Sequence, residues 1–577
     1  MNHPSSSTTH IEAISLDRDD ALSSLEVLTR GLAVVSPVVV SETSQDEPNS
    51  VSIPTPSTTL TQSFPPYPER LCGASHFDKL RKVLIARVPK NRDDSSKVVR
   101  YLFQILNNSR WLTHLELSAS ILIWDLTLAQ QLSDVITSDL PHLEQLSFIG
   151  SQTPLVLEHV MPVLRASFHH PQLKEIEYDC KIAWSGDFKG IDESELESQL
   201  NSLLETRDAV DEGSLVTAIV PRLRSLILPY CAKGYPPSFL INLFSSHVPN
   251  LERLGAFSIQ RDQDISLELE SAITSGCPKL QHILSPTYNF LMNEMTSIQA
   301  MYRACSNNGL GLKSFYARMF SNEDNFENGQ NLIETFVEHN SETLEVFDIP
   351  YSYAVKSKDL QSILSSCKNL KRYCGYNNKD GQVAFAFKDI VSKEWVCHDL
   401  KELCIQLNRR DREFDHDIEE DDERFKDGIY SPTPQEFEEM EKMAKGVYSQ
   451  IGRLSKLEGL AICCDEDDSW GDIGEAFKDD LTLEMGWLKE LAGLKELKHF
   501  QMMTDFWSCM GQAEVEFMHE HWPSLERITF GYGWRCSADH VWEKPHWQWL
   551  RSQRPSLEYG YDFDIKCNLV QKRSDIQ

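Results

Sequence analysis

The apolar residues of this chain follow a short repeating pattern from Leu80 onward. Each unit reads as leucine, two variable residues, an apolar residue, one variable residue and a second apolar residue. The leading leucines are Leu80, Leu112, Leu143, Leu173, Leu223, Leu251, Leu280, Leu312, Leu344, Leu370, Leu400, Leu457, Leu497, Leu525 and Leu557. Position four is aliphatic or aromatic in 14 of these 15 units, and position six is apolar in 12 of them. The alternation predicts a short strand in each unit, with positions one, four and six facing a core and position five facing away.

The spacing of the units predicts one helix between successive strands. Eleven of the fourteen intervals between leading leucines are 26 to 32 residues long, which suits a strand, a helix and two loops. Proline ends a helix and forces the preceding residue into an extended conformation. Seven units carry a proline two residues before the leucine, namely Pro141, Pro171, Pro221, Pro249, Pro278, Pro523 and Pro555. The chain is therefore predicted to alternate strands and helices, each unit stacking on its neighbours.

Several repeat phrases resemble those of leucine-rich-repeat proteins of the ribonuclease-inhibitor type. These phrases are residues 102–117, 170–180, 248–254, 366–373 and 522–531. More narrowly, the chain is similar to the fungal F-box/leucine-rich-repeat proteins, although residues 1–75 contain no recognisable F-box. The resemblance implies an α/β fold, a leucine-rich-repeat solenoid shaped as a horseshoe, with parallel inner strands, outer helices and about 15 repeats.

The repeat pattern divides the chain into three parts. Residues 1–75 are predicted to form a largely disordered leader, because 16 of the 26 residues from 41 to 66 are Ser, Thr or Pro. The spacing of Leu25, Leu28 and Leu32 leaves room for one short helix there. Residues 76–565 are predicted to form the solenoid, with an acidic insertion at about 409–450. Residues 566–577 are a C-terminal tail.

The excess of acidic residues limits the classes of partner. The chain has 87 acidic and 56 basic residues and a formal net charge of −31, which argues against binding to nucleic acid or anionic membranes. No apolar run reaches the roughly 18 residues of a membrane helix, and the first residues lack the pattern of a signal peptide. Fourteen cysteines without an export signal are typical of reduced thiols. We expect a cytoplasmic or nuclear monomer.

Motifs for catalysis and cofactor binding are absent from the sequence. The chain has no phosphate-binding loop, no His-Glu-x-x-His, no Gly-x-Ser-x-Gly and no Cys-x-x-Cys. We therefore predict no enzyme activity, no cofactor and no metal site.

Position five, together with the residue after position six, is predicted to line the concave face, where partners of such arrays bind. These positions carry polar and aromatic residues without a convergent acid, base and nucleophile, which suits recognition better than catalysis. The candidate partner-binding residues are Glu116, Glu177, Tyr316, Arg318, Asp348, Tyr376, Cys404, Gln406, Gln501 and Met503. Cys374 and Cys404 occupy position five of consecutive units, either as a thiol pair for redox or metal chemistry or as two small strand residues.

These features predict a non-enzymatic scaffold for protein–protein recognition. The resemblance to F-box relatives implies a substrate-recognition subunit of an SCF-type ubiquitin ligase, whose partners are a ligase adaptor and a substrate. The alternative is a direct regulator of a small GTPase or another signalling protein, acting through the concave face. The two hypotheses assign different roles to the segment before Leu80, because only the ligase subunit needs that segment to bind an adaptor.

Overall fold

A computed structural model of the chain describes residues 13–16, 80–85, 92–123, 126–183, 193–205, 220–231, 234–260, 265–285, 293–317, 333–334, 336–350, 355–375, 385–408, 425–426, 429–430, 433–464, 481–484, 486–503, 510–531 and 543–562. The chain forms two compact units, Met1–Glu175 and Ile176–Gln577. Within each unit, parallel strands stand beside one another and helices lie in the connections between them.

Apart from one short antiparallel pair, the described strands of each unit pair in parallel with their neighbours. The first unit contains β1 (Ala13–Leu16), β2 (Lys82–Ile85), β3 (His114–Ser118) and β4 (Gln145–Val156), and β5 (Glu175–Ala183) begins at its end. The second unit continues with β6 (Ser225–Ile227), β7 (Tyr230–Cys231), β8 (Arg253–Gly255), β9 (His282–Ser285), β10 (Ser314–Ala317), β11 (Val346–Asp348), β12 (Arg372–Gly375), β13 (Phe385–Ala386), β14 (Glu402–Asn408), β15 (Phe425–Lys426), β16 (Ile429–Tyr430), β17 (Gly459–Cys464), β18 (His499–Met503), β19 (Arg527–Gly531) and β20 (Glu558–Asp562). From β8 to β12, each strand pairs with the next one along the chain, and β14, β17, β18, β19 and β20 continue the series.

Helices connect the strands, as the prolines and the spacing predict. They are α1 (Arg92–Leu106), α2 (Leu126–Ser138), α3 (Leu157–Phe168), α4 (Glu193–Asn201), α5 (Pro237–Asn242), α6 (Ser266–Gly276), α7 (Asn293–Asn307), α8 (Ser357–Ser366), α9 (Phe387–Ser392), α10 (Pro434–Gly452), α11 (Gln512–His521) and α12 (Pro545–Gln553). Helices of successive repeats pack side by side, as α2 does on α3 and α6 on α7. Within the described ranges, none of the helices is long and apolar enough to cross a bilayer.

The apolar positions of the pattern form the core. The leading leucine of every repeat is buried. Positions four and six are buried in the same way, as Leu115 and Leu117 are in β3 and Phe500 and Met502 are in β18. A fully buried side chain of this kind stabilises the fold by about 1.5–3 kcal/mol, but it can be buried only against the next repeat. The predicted α/β leucine-rich-repeat solenoid is confirmed.

A main-chain hydrogen-bond pattern joins successive repeats just before each strand. The carbonyl of position two accepts two N–H donors, those of positions two and three of the next repeat. Arg81 O, for example, accepts from Thr113 N at 2.9 Å and from His114 N at 3.0 Å. The same paired bonds recur at the carbonyl oxygens of Thr113, Glu144, Arg224, Glu252, Gln281, Lys313, Glu345, Lys371, Lys401, Glu458 and Lys498. Equivalent positions of these repeats therefore stand side by side.

The last strand is shifted by one residue relative to the pattern. Arg527 pairs with Glu558 and Ile528 with Tyr559, whereas equal positions pair between β18 and β19. The pattern assigns position four of this repeat to Gly560, which cannot fill a core. The shift places Tyr559 beside the core residue Ile528 and moves Gly560 to the opposite face, beside position five of β19.

The acidic insertion contains a β-hairpin and the long helix α10. Strands β15 and β16 pair in antiparallel fashion. A capping box begins α10, because Thr433 Oγ accepts from Glu436 N at 3.3 Å while Thr433 N donates to Glu436 Oε2 at 2.7 Å. The second half of α10 buries Ala444, Val447 and Ile451. Residues 409–424 lie outside the described ranges.

Part of the predicted leader pairs with the repeats. Strand β1 lies within residues 1–75 and pairs in parallel with β2, with Ala13 opposite Lys82. It covers a strand edge that β2 would otherwise expose. The predicted short helix near residues 25–32 and the tail at 566–577 lie outside the described ranges.

A buried polar network holds α8, α9 and α10 together. Gln450 Oε1 accepts from Trp395 N at 2.9 Å, and Gln450 Nε2 donates to Ile390 O at 2.6 Å. Gln361 Oε1 accepts from Trp395 Nε1 at 2.8 Å, and its amide donates to Lys393 O at 2.7 Å. These bonds satisfy main-chain groups that the helices leave buried.

We predict that Gln450→Leu lowers the stability of the second unit by about 1–3 kcal/mol, because Trp395 N–H loses its acceptor inside the protein. The midpoint of urea unfolding of the full-length protein measures the effect. Gln548→Leu is the control, since Gln548 is exposed and its substitution is expected to change stability by less than about 0.5 kcal/mol. Equal effects of the two variants would contradict the network's role.

Burial lowers the pKa of several histidines in the folded protein. The pKa of His282 is lowered to about 4, chiefly by burial and then by the charges of Arg253 and Lys313. Burial also lowers the pKa values of His114, His170, His247, His499 and His546. Because an unfolded histidine titrates near pH 6.5, their contribution to stability is complete above that pH and is lost below it.

We predict that stability falls as the pH drops from 7 to 5, and that His282 accounts for about 2 kcal/mol of the fall. The thermal midpoint, measured at pH 7, 6 and 5, tests this expectation. His282→Asn is expected to flatten the pH dependence because the variant has no group to protonate there. A variant whose midpoint falls as steeply as that of the wild type would refute the assignment.

Candidate functional site on the open strand face

The side chains at positions three and five form one surface. Apart from the shifted last strand, the described side chains at positions four and six are buried, so positions three and five point to the opposite side. We call this side the open face; it corresponds to the predicted concave lining. Position five of the second unit carries Gly255, Leu284, Tyr316, Asp348, Cys374, Cys404, Ala461, Gln501 and Thr529, and Gly560 ends the row.

Position three supplies a second row that the sequence prediction omitted. Its members in the second unit are Arg253, His282, Ser314, Val346, Arg372, Glu402, Gly459, His499 and Arg527, and Glu558 ends the row. The alternation used to predict the strands already implied this row, because residues two apart share a face. Most of the charge of the open face lies here.

The predicted partner-binding residues fall into three groups. Glu116 on β3, Glu177 on β5, Tyr316 on β10 and Gln501 on β18 are partly exposed. Met503 belongs to β18, but its side chain lies outside the described part of the structure, as do Arg318 and Tyr376.

The third group is buried, which corrects the expectation that it lines an accessible surface. Asp348, Cys404 and Gln406 are only 4%, 1% and 2% exposed. Asp348 is covered because it forms an ion pair with Arg372. Cys404 is small and stands between Cys374 and Ala461 in register. The side chains of these three residues are covered in the free protein.

The predicted proximity of Cys374 and Cys404 is confirmed, since the two are direct partners on β12 and β14. Both are buried and neither forms a disulfide. Within the described ranges, His, Cys, Asp and Glu form no group of three or more that would hold a metal ion. Burial of both side chains favours the interpretation as two small strand residues.

Arg372 lies between two carboxylates on the open face. Its Nε is 3.0 Å from Asp348 Oδ2, and its Nη1 is 3.4 Å from Glu402 Oε2. These carboxylates belong to the strands on either side, β11 and β14. The side chains of Arg372 and Asp348 are 12% and 5% exposed, so the pair is largely shielded from water. The arginine is neutralised within its own sheet.

A serine–histidine contact lies further along the same row. His282 Nδ1 and Ser314 Oγ are 2.7 Å apart on β9 and β10. The pair has the distance that a base and a nucleophile need. The pKa of His282 near 4, caused chiefly by burial, makes the imidazole a weak base at neutral pH. The contact therefore suits a structural hydrogen bond.

The strands β18 to β20 carry a different arrangement, which we call the C-terminal patch and define as Gln501, Arg527, Thr529 and Gly560. Gln501, Thr529 and Gly560 stand side by side at position five. The guanidinium of Arg527 lies over Gly560, because a Cβ on that glycine would be 3.1 Å from Arg527 Nη2 and 3.6 Å from Nε.

Two donors of the C-terminal patch are buried without an acceptor. They are Arg527 Nε and Gln501 Nε2. Among the residues that the structure describes, no carboxylate forms an ion pair with Arg527. A buried donor without an acceptor costs about 1–3 kcal/mol. The patch therefore offers hydrogen-bond donors and one positive charge that its own strands do not use.

Comparison with known proteins identifies no family for this chain. No protein-family model matches it, and a search of characterised proteins finds no significant match.

Solved structures that match the chain include two leucine-rich-repeat proteins, and the three structures named next match at 12% to 13% identity. The Rad7–Elc1 complex of yeast matches at 12% identity and a TM-score of 0.37, over 78% of this chain and 80% of that one. The leucine-rich-repeat-containing protein LegL7 of Legionella pneumophila matches at 13% identity and a TM-score of 0.24, over 51% of this chain and 88% of its own. A leucine-rich-repeat protein of Leptospira interrogans gives 13% identity and a TM-score of 0.24, over 79% and 96% of the two chains.

We predict that Arg372→Met destabilises the second unit by about 3 kcal/mol, because it breaks the ion pair with the buried, charged Asp348. The double variant Asp348→Asn/Arg372→Met is expected to recover most of this loss, since both charges are then absent. Urea unfolding of the full-length variants measures both changes. Arg453→Met, which removes an exposed ion pair with Glu394, is the control and is expected to cost less than about 1 kcal/mol. A double variant as unstable as Arg372→Met would contradict the prediction.

Proposed function

We propose that this protein is a non-enzymatic scaffold that recognises other proteins through its open face. The observation that carries the proposal is the difference between the two sides of the strands. Positions one, four and six are apolar and buried in one repeat after another, whereas positions three and five change in charge, size and aromatic character. Packing restricts a core residue, but it leaves an exposed strand position free to vary. Repeat arrays of this kind bind their partners on such an extended face.

The polar groups of the open face support binding over catalysis. Arg372 is neutralised by two carboxylates, and the histidine of the His282–Ser314 contact is a weak base. A hydrolytic site needs a base whose pKa lies near the working pH. The described part of the open face is better suited to presenting individual side chains to a partner.

The finer proposal is that the protein is the substrate-recognition subunit of an SCF-type ubiquitin ligase, acting in the cytoplasm or nucleus. The support is the likeness of its repeat phrases to those of F-box relatives. Under this proposal the open face binds the substrate, and a segment before Leu80 binds the ligase adaptor. The regulator of a small GTPase or another signalling protein remains the alternative, and the partner identified experimentally distinguishes the two.

We predict that Tyr316→Arg abolishes capture of the protein's partners from cytosol of its own source, because a large charged side chain is placed on the open face. Leu267→Arg is the matched control, since Leu267 is 73% exposed on helix α6 and lies away from the strands. Affinity purification of tagged full-length variants, followed by mass spectrometry, makes the comparison. Partners that survive Tyr316→Arg and disappear with Leu267→Arg would show that the helices, and not the open face, carry recognition.

We predict further that a ligase adaptor co-purifies with the full-length protein and not with a variant that lacks residues 22–66. This deletion keeps β1 and leaves more than the ~12 residues that a parallel crossover to β2 needs. The substrate is expected to bind both proteins. A GTP-binding partner found with both, and an adaptor found with neither, would overturn the ligase proposal and favour the alternative.

A further inference from the structure

The C-terminal patch has two donors without acceptors, whereas Arg372 on the same face is paired. Arg372 and Arg527 both occupy position three of the open face. Arg372 has a carboxylate on each neighbouring strand. Arg527 Nε, in contrast, is buried without an acceptor, and the described residues supply no ion pair to its guanidinium. Glu558 stands beside Arg527 in register on β20 but is exposed and forms no ion pair with it, so the guanidinium pairs with no described carboxylate.

The geometry holds the Arg527 guanidinium ready for that anion. The one-residue shift of β20 places Gly560 beside Thr529, and the guanidinium lies over this glycine. Any larger residue at 560 would meet Nη2 at 3.1 Å from its Cβ. A charged group that is already positioned loses less entropy on binding than a mobile one.

Gln501 and Thr529 extend the donor set beside the guanidinium. Both stand at position five of neighbouring strands and face the same side as Arg527. Gln501 Nε2 is the second buried donor without an acceptor. On the next strand, β17, the equivalent positions are Gly459 and Ala461, so no large side chain of that strand covers Gln501.

The charge of the patch matches one carboxylate. Arg527 is the cation of the patch, and Gln501 and Thr529 are neutral donors. The neighbouring Glu558 is exposed and forms no ion pair with Arg527, so it does not neutralise the guanidinium. The pKa of neighbouring His499 is lowered, chiefly by desolvation and in part by Arg527, so it adds no second charge at neutral pH. Lys498 is engaged by Glu458 at 2.7 Å. A phosphate with nearly two negative charges would need a further cation, whereas a carboxylate is matched by one guanidinium.

We propose that the C-terminal patch binds the carboxylate of an Asp or Glu side chain in an extended segment of a protein partner. The guanidinium of Arg527 holds the carboxylate. Gln501 Nε2 is covered in the free protein and becomes a donor when the partly exposed Gln501 side chain turns outward; it and the Thr529 hydroxyl then donate to the carboxylate oxygens or to the adjoining peptide carbonyl. This inference rests on the proposed function and deepens it, because it assigns one recognition position on the open face and the acidic chemistry of the partner.

The test uses immobilised full-length protein and pools of nine-residue peptides. Flanking positions are randomised, and the central residue is fixed as Asp, Glu, phosphoserine, Gln or Lys. The wild type is expected to retain the Asp or Glu pools about tenfold over the Gln and Lys pools, as a charge-assisted bidentate contact predicts. Arg527→Met and Gln501→Leu are expected to lose this preference. Arg453→Met removes an equal charge from an exposed ion pair elsewhere and is expected to keep it.

Stability separates a binding role from a structural one. Arg527→Met is expected to leave the urea midpoint unchanged or to raise it, because a buried donor without a partner is removed. Gln501→Glu is expected to raise the midpoint as well, since the new carboxylate would pair with Arg527, and to abolish retention of the acidic pools. A fall in the midpoint of Arg527→Met as large as that of Arg372→Met would show that Arg527 is structural and overturn the proposal.

The peptide result is independent of the proposed function. A wild type without preference for Asp or Glu, or with a stronger preference for phosphoserine, would overturn the carboxylate assignment. Recognition through the open face would still stand if Tyr316→Arg prevents partner capture. If Tyr316→Arg leaves partner capture intact while the Arg527-dependent preference is observed, the proposed function as a whole-face scaffold fails and the patch stands as an isolated peptide site.

Discussion

The fold depends on one constraint: a repeat can bury its leucine face only against the repeat beside it. The position-two carbonyl enforces this stacking, because it accepts two N–H donors from the next repeat. These bonds keep equal positions in line, so Leu115 stands beside Leu146 and Phe500 beside Ile528. A slip of one residue would turn a core side chain onto the open face. The main-chain ladder and the apolar pattern therefore support the same register.

The same constraint explains why the sequence predicts the core better than the surface. Burial at positions one, four and six follows from a local pattern, and the structure confirms it in both units. The partners of a surface residue depend on register between strands that lie far apart in the chain. Asp348 and Arg372 are 24 residues apart, and nothing local indicates that they form a pair. Their burial could not be predicted from the identity of either residue.

The β20 register shows where a local pattern misleads. The leading leucine at Leu557 is buried as expected. Each residue of β20, however, pairs with the β19 residue that is one repeat position further along. The physical reason is packing, because Tyr559 fills a place beside Ile528 that Gly560 would leave empty. The shift also places a glycine under the Arg527 guanidinium. A packing requirement of the core thus determines the geometry of a candidate binding position on the opposite face.

Recognition of an acidic partner must be reconciled with a net charge of −31. Beyond the Debye length of about 8 Å at physiological salt, the protein as a whole repels such a partner, and the repulsion is screened. Within that distance the local charge dominates, and a partly buried guanidinium is screened far less than exposed charges are. The acidic surface therefore slows the approach of an acidic partner, but it does not prevent the contact with Arg527 once the partner is close. Selection for a carboxylate would then arise from the donors of the C-terminal patch, where Arg527 forms no ion pair of the kind that Arg372 forms within its own sheet.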